Sequence, residues 1–152
     1  MKEKSAEQQL AGFIVKFVPE IGVQVRTALV KMRKRLPGAI EMVYDNYNSL
    51  AIGFGPSDRA SEAILSIAVF PRWVTLCFLQ GAGLPDPAKR LRGTGTRVRH
   101  LRLEGPQTLD EPEVQALVGN ALKRAKKPLD RTVAHRIIIK SVSEKQRPRR
   151  PA

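Results

Sequence analysis

The sequence predicts an α+β fold, with amphipathic helices toward both ends of the chain and a run of short strands between them. Three observations carry this. Apolar residues recur at spacings of three and four in residues 6–18 and again in 109–126, the period of a one-sided helix. Two apolar runs, residues 64–70 and 73–79, are joined by Pro71-Arg72, as in a buried hairpin. The intervening stretches are short and bounded by Gly, Pro, Asn and Asp, which punctuate strands.

In the first helix Leu10, Phe13, Ile14 and Phe17 share a face. Pro19 suits the start of a second helix, because a proline at the first helical position loses no N–H that the helix needs. Val23, Ala28, Leu29 and Met32 are expected to point inward from it. Lys31, Arg33, Lys34 and Arg35 crowd its last turn, where cations complement the negative helix end, and Leu36-Pro37-Gly38 stops it. Residues 40–44 and 49–54 read as strands about an Asp-Asn-Tyr-Asn turn.

Pro71 fits the first corner of a type I or II turn. The sets Leu65/Ile67/Val69 and Val74/Leu76/Phe78 are wholly apolar, and their opposite sets only slightly more polar. Both hairpin faces are therefore expected to be covered, the second by a loop, a pocket or another subunit. Cys77, the only cysteine, reads as an inert core thiol and excludes an internal disulfide or thiolate zinc site.

Residues 85–91 read as a helical turn, and Gly93 and Gly95 permit positive φ. Residues 97–103 read as a strand. For the helix over 109–126, Asp110 is the expected N-cap, and Val114, Leu117, Val118, Ala121 and Leu122 form the inward face. Beyond Pro128 the composition changes. Ile137-Ile138-Ile139 has strand character and should pack on the sheet or a second subunit, making the chain a monomer or a homodimer. Residues 144–152 lack core-forming side chains and read as mobile. The expected division is a domain over 1–130 and a basic extension over 131–152.

The net charge of +13 is unevenly spread: residues 1–119 hold 16 Lys/Arg against 12 Asp/Glu, and residues 120–152 hold 11 against 2. The start, with acids and no long apolar run, is not expected to act as a secretory signal, and no stretch reaches the roughly 20 apolar residues of a membrane span. A cytoplasmic protein with no membrane partner is expected.

No catalytic signature is visible. Gly93-Thr94-Gly95 lacks the remaining glycines and the Lys of a phosphate-binding loop, and a strand rather than a helix follows. His100 and His135, the only histidines, have no evident third metal ligand or nucleophile; His100 should find a hydrogen-bond partner, with Tyr44 and Tyr47 as candidates. The sharpest feature is the cation set Lys89, Arg92, Arg97 and Arg99, since the planar guanidinium matches carboxylate and phosphate. These residues are expected to rim a cleft over the hairpin's second face that binds a small anion without catalysis, with Gly93, Gly95, His100 and Tyr44 alongside them. A second reading assigns Lys140, Lys145, Arg147, Arg149 and Arg150 to nonspecific, salt-sensitive nucleic-acid contact.

The stretch from Gly81 to Leu101, with its Leu91-Arg92-Gly93-Thr94-Gly95 run ending in Arg99-His100-Leu101, and the Glu41/Tyr44 pair upstream, resembles the YdhG-like family, catalogued as domain of unknown function 1801. The resemblance spans about residues 11–125. It implies helices packed against a curved antiparallel sheet in two layers. Some family members are described as frataxin-like iron chaperones, which makes iron the one cofactor the resemblance would suggest. Such chemistry wants clustered carboxylates, whereas the acids here are scattered and no metal ligand can be named.

Overall fold

The computed structural model describes residues 4–151; the acid-bearing start over 1–3 and the final Ala152 lie outside the described residues. The fold is α+β, an open six-stranded sheet with helices on one face. Helix α1 (Ala6–Ile14) begins at Ser5, whose hydroxyl accepts from the Gln8 N–H while the Gln8 side chain accepts from the Ser5 N–H. Such reciprocal capping satisfies two otherwise orphaned donors. Helix α2 (Pro19–Arg35) opens on its proline. Its inward face is Ile21, Val25, Ala28, Leu29 and Met32, so Ala28, Leu29 and Met32 point inward as expected, whereas Val23 is half exposed.

Strands β1 (Ile40–Asp45), β2 (Leu50–Gly55), β3 (Leu65–Val69), β4 (Val74–Phe78) and β5 (Arg99–Leu103) form an antiparallel meander. The Ile67–Leu76 and Val69–Val74 pairs confirm the hairpin about Pro71. Helix α3 (Pro112–Arg124) starts after Glu111, and not at Asp110. Asp110 instead sits in a short 3-10 turn, Pro106–Asp110, and binds Lys31 and Arg35 of α2. The cations crowding the end of α2 are thus engaged by specific partners as well as by the helix dipole. Residues 85–91 form no helix; the Asp86 carboxylate accepts from the Arg90 and Leu91 N–H groups and fixes an irregular loop.

Strand β6 (Arg136–Val142) adds beside β1 and runs parallel to it, giving the order β5-β4-β3-β2-β1-β6. The sheet is therefore mixed rather than purely antiparallel, and the domain does not end at residue 130. Ile137 and Ile139 pack, partly buried, against the core, so the isoleucine run lies on its own sheet as an edge strand. Gly38 has φ +86, and a Cβ there would lie 1.9 Å from the Asp130 carbonyl oxygen. Only glycine allows the connection to β6 to cross the end of α2 this closely.

The expected mobile tail is also corrected. The Ser143 N–H donates to the Asp45 carbonyl at 2.9 Å and the Arg147 N–H to the Tyr47 carbonyl at 2.9 Å. Arg149 is 6% exposed; its guanidinium donates to the Asp45 carboxylate at 2.9 Å and lies over the Phe17 ring. Asp45 is itself fully buried, with Lys16 as its second cation at 3.2 Å. A buried carboxylate requires such partners because removing one leaves an uncompensated charge out of water. Arg149→Ala should therefore destabilise the fold by about 3 kcal/mol, the low end for a broken buried pair because Lys16 remains. Urea unfolding should show this as a lowered midpoint with an unchanged slope.

Candidate cationic cleft

A cleft of about 670 Å³ opens at the edge of the sheet where β3 begins and β4 ends. Three segments build it. Residues 61–64 enter β3, residues 80–82 and 96–97 belong to the β4–β5 connection, and residues 121–127 include the last turn of α3. The connection is tied to itself by the Ala82 N–H, which donates to the Arg97 carbonyl at 2.9 Å. Gly81 sits where a Cβ would be 2.8 Å from that of Arg99, so the two limbs of the loop touch. Ala63, Ile64, Ala82, Ala121 and Ala125 give the cleft an apolar lining of mostly small side chains, while Ser61, Gln80 and Thr96 supply neutral hydrogen-bonding groups.

Its charged groups are Arg97, Arg124, Lys126 and Lys127 against Glu62 alone. Lys127 reaches the Glu62 carboxylate at 3.0 Å, and Ser57 donates to the same group. The Ser57 hydrogen bond, followed by Lys127, holds the Glu62 carboxyl below its ordinary range. Glu62 is therefore ionised at neutral pH and cancels Lys127. The side chains of Arg97, Arg124 and Lys126 make no hydrogen bond or ion pair among the described residues. Three uncompensated positive charges outweigh the partial negative charge of roughly one-half at the end of α3.

Arg97 alone of the expected cation set lines this cleft, and the cleft does not lie over the hairpin's second face. Arg99 occupies the strand, and its guanidinium folds back to the Gly95 and Val98 carbonyls at 2.6 and 2.8 Å. Arg92 donates to the Lys89 carbonyl at 3.0 Å, and its backbone pairs in both directions with His100. Lys89 has the unexpected positive φ, +53, and Gly93 has φ +119, whereas Gly95 is not in that region. His100 is exposed opposite Cys77, with no side-chain hydrogen bond and far from Tyr44 and Tyr47. Tyr44 lies four strands away, its phenol pushed up by burial. Cys77 is half-buried and its thiol is likewise pushed up. The second face is thus partly open.

Arg124, Lys126 and Lys127 escape sequence reading because they look like ordinary cations at a helix end. Their convergence with Arg97 depends on how the β4–β5 connection folds back. The nucleic-acid set is also redistributed: Lys140 donates to the Asp58 carbonyl, Arg149 is buried, and Arg150 donates to the Lys16 carbonyl. Only Lys145 and Arg147 keep side chains free of hydrogen bonds, the latter over Tyr47.

The acids are dispersed among cations. Glu41, fully buried, receives two hydrogen bonds from Arg33, at 2.6 and 2.9 Å, and approaches His135 at 2.5 Å; this carboxylate raises the Arg33 pKa. Arg90 joins Glu111 and Glu113. Among the described residues no group of three or more His, Cys, Asp or Glu is placed to hold a metal, and no helix is long and apolar enough to cross a membrane.

Because Glu62 is the cleft's one anion, Glu62→Gln should tighten sulfate binding by about two- to fivefold at neutral pH, in line with the modest worth of an exposed charge pair. Calorimetric titration checks this. In the unsubstituted protein the same gain should appear only in acid, as pH falls through Glu62's depressed pKa. No protein-family model, curated protein or solved structure matched the chain.

Proposed function

We propose that the protein is a non-catalytic, intracellular binding domain that holds a small anionic ligand in this cleft. The observation that carries the reading is the meeting of Arg97, Arg124 and Lys126, all unpartnered, over an apolar, mostly small-residue lining. Guanidinium groups offer paired donors to a carboxylate or phosphate, and the lysine adds a mobile point charge. Ser61, Gln80 and Thr96 would orient a polar ligand, and the lining leaves room for an apolar portion beside them. The volume falls within the range of small-molecule sites. Kinship with the YdhG-like family belongs to the same proposal and rests on the residue pattern through His100 and the order of elements; iron has no ligand set here to support it.

Native mass spectrometry of gently purified full-length protein should show a reproducible added mass from a small anion. Arg97→Glu combined with Arg124→Glu should remove it while leaving the thermal midpoint nearly unchanged, since neither side chain has a partner to lose. Titration with inorganic phosphate should show at least about a tenfold loss of affinity in that variant, as removal of charge-assisted hydrogen bonds requires. Equal affinity in the two proteins would overturn the proposal.

A further inference from the structure

A second basic surface lies at the opposite end of the β3–β4 hairpin from the cleft. Trp73, the only tryptophan, is 38% exposed there, and Tyr47 in the β1–β2 turn is 50% exposed. Each ring carries an arginine: Arg102 lies over Trp73 at 5.6 Å and Arg147 over Tyr47 at 5.7 Å. Phe70 stacks on Trp73 with ring centroids 5.3 Å apart and planes 29° apart. These groups come from four separate parts of the chain. Arg147 reaches its place only because the C-terminal segment docks along the β1–β2 turn.

The sheet's topology arranges them as a platform. Trp73 and Arg102 project from the face away from the helices, because their neighbours Val74, Leu101 and Leu103 belong to the core. Beside them on that face run Thr75, Ala68 and Ala51 in one cross-strand row, ending at Tyr44. The row's small side chains keep the surface low between its aromatic ends. The turns bearing Tyr47 and Trp73 are two strand spacings apart, about 10 Å. Arg72 and Lys145, both exposed, add charge to this edge, against Glu104 and Glu144 in the adjoining segments.

Core packing does not account for an exposed indole, a stacked phenyl ring and two guanidinium–arene contacts at one edge. Aromatic faces beside arginines are what unpaired bases and their phosphates require: stacking for the base, cations for the backbone. We propose that this edge, formed by Phe70, Trp73 and Arg102 with Tyr47 and Arg147, binds single-stranded nucleic acid. Bases take the places that the Arg102 and Arg147 guanidiniums hold over the Trp73 and Tyr47 rings, and the displaced arginines, with Arg72 and Lys145, meet phosphates. The net charge of +13 complements such a ligand. Duplex is disfavoured because its bases are already stacked.

The test uses the full chain and a dye-labelled oligothymidylate of about 12 nucleotides, within the usual site sizes for such platforms. At low salt, anisotropy should rise to saturation, and with unlabelled strand the emission of Trp73 should be quenched in parallel. Trp73→Leu and, separately, Tyr47→Leu on its exposed turn should each weaken binding about tenfold, the usual loss of one stacking side chain. A duplex of equal length should bind at least about tenfold more weakly. Absence of saturable binding, binding without quenching, equal affinity for duplex, or unchanged affinity in both variants would each overturn the proposal.

Discussion

Two carboxylates on one strand set the terms on which this chain folds. Glu41 and Asp45 sit on the helix-facing side of β1 and neither is exposed to solvent. A lone carboxylate there would cost several kcal/mol, so each must be met by cations as the sheet closes. Glu41 takes Arg33 from α2 and a hydrogen bond with the His135 ring from the approach to β6; Asp45 takes Lys16 from the α1–α2 corner and Arg149 from the C-terminal segment. The partners come from both ends of the chain. Closing the core therefore also fixes the N-terminal helices and the last strand against β1, and the parallel β6 lies where that closure places it.

The same accounting explains how the positive charge is distributed. The buried carboxylates engage Arg33 and Arg149, and the acids around α3 engage Lys31, Arg35 and Arg90. With 27 Lys/Arg against 14 Asp/Glu, many cations remain without an acid. They are not spread evenly. One group converges on the cleft between α3 and the β4–β5 connection, and another lies beside exposed aromatic rings at the far end of the hairpin. Fold stability consumes the acids, and the cations that remain are left without acidic partners.

The local features were legible in the sequence because they follow from periodicity and backbone chemistry. The apolar spacing through Phe17, the Pro19 helix start, the Pro71 hairpin and the inward face of α3 all depend on neighbours in the chain. The failures involve partners far apart in sequence. Residues 144–151 look coreless, yet one arginine finds a buried acid 104 residues away. Asp110 has the chemistry of a helix cap, but Lys31 and Arg35 hold it in the preceding turn. Among the expected ligand residues only Arg97 reaches the cleft, because Arg92 and Arg99 satisfy nearby carbonyls. Side-chain type marks which residues are cationic; three segments separated in sequence determine which of those cations converge.

The most direct measurement is an amide-resolved NMR titration of the isotope-labelled protein with inorganic phosphate at constant ionic strength. The account predicts saturable shifts concentrated at residues 61–64, 80–82, 96–97 and 121–127, with the amides about Lys89 and Arg92 little changed. Shifts centred on residues 89–93, or small unsaturable shifts over the whole basic surface, would contradict it.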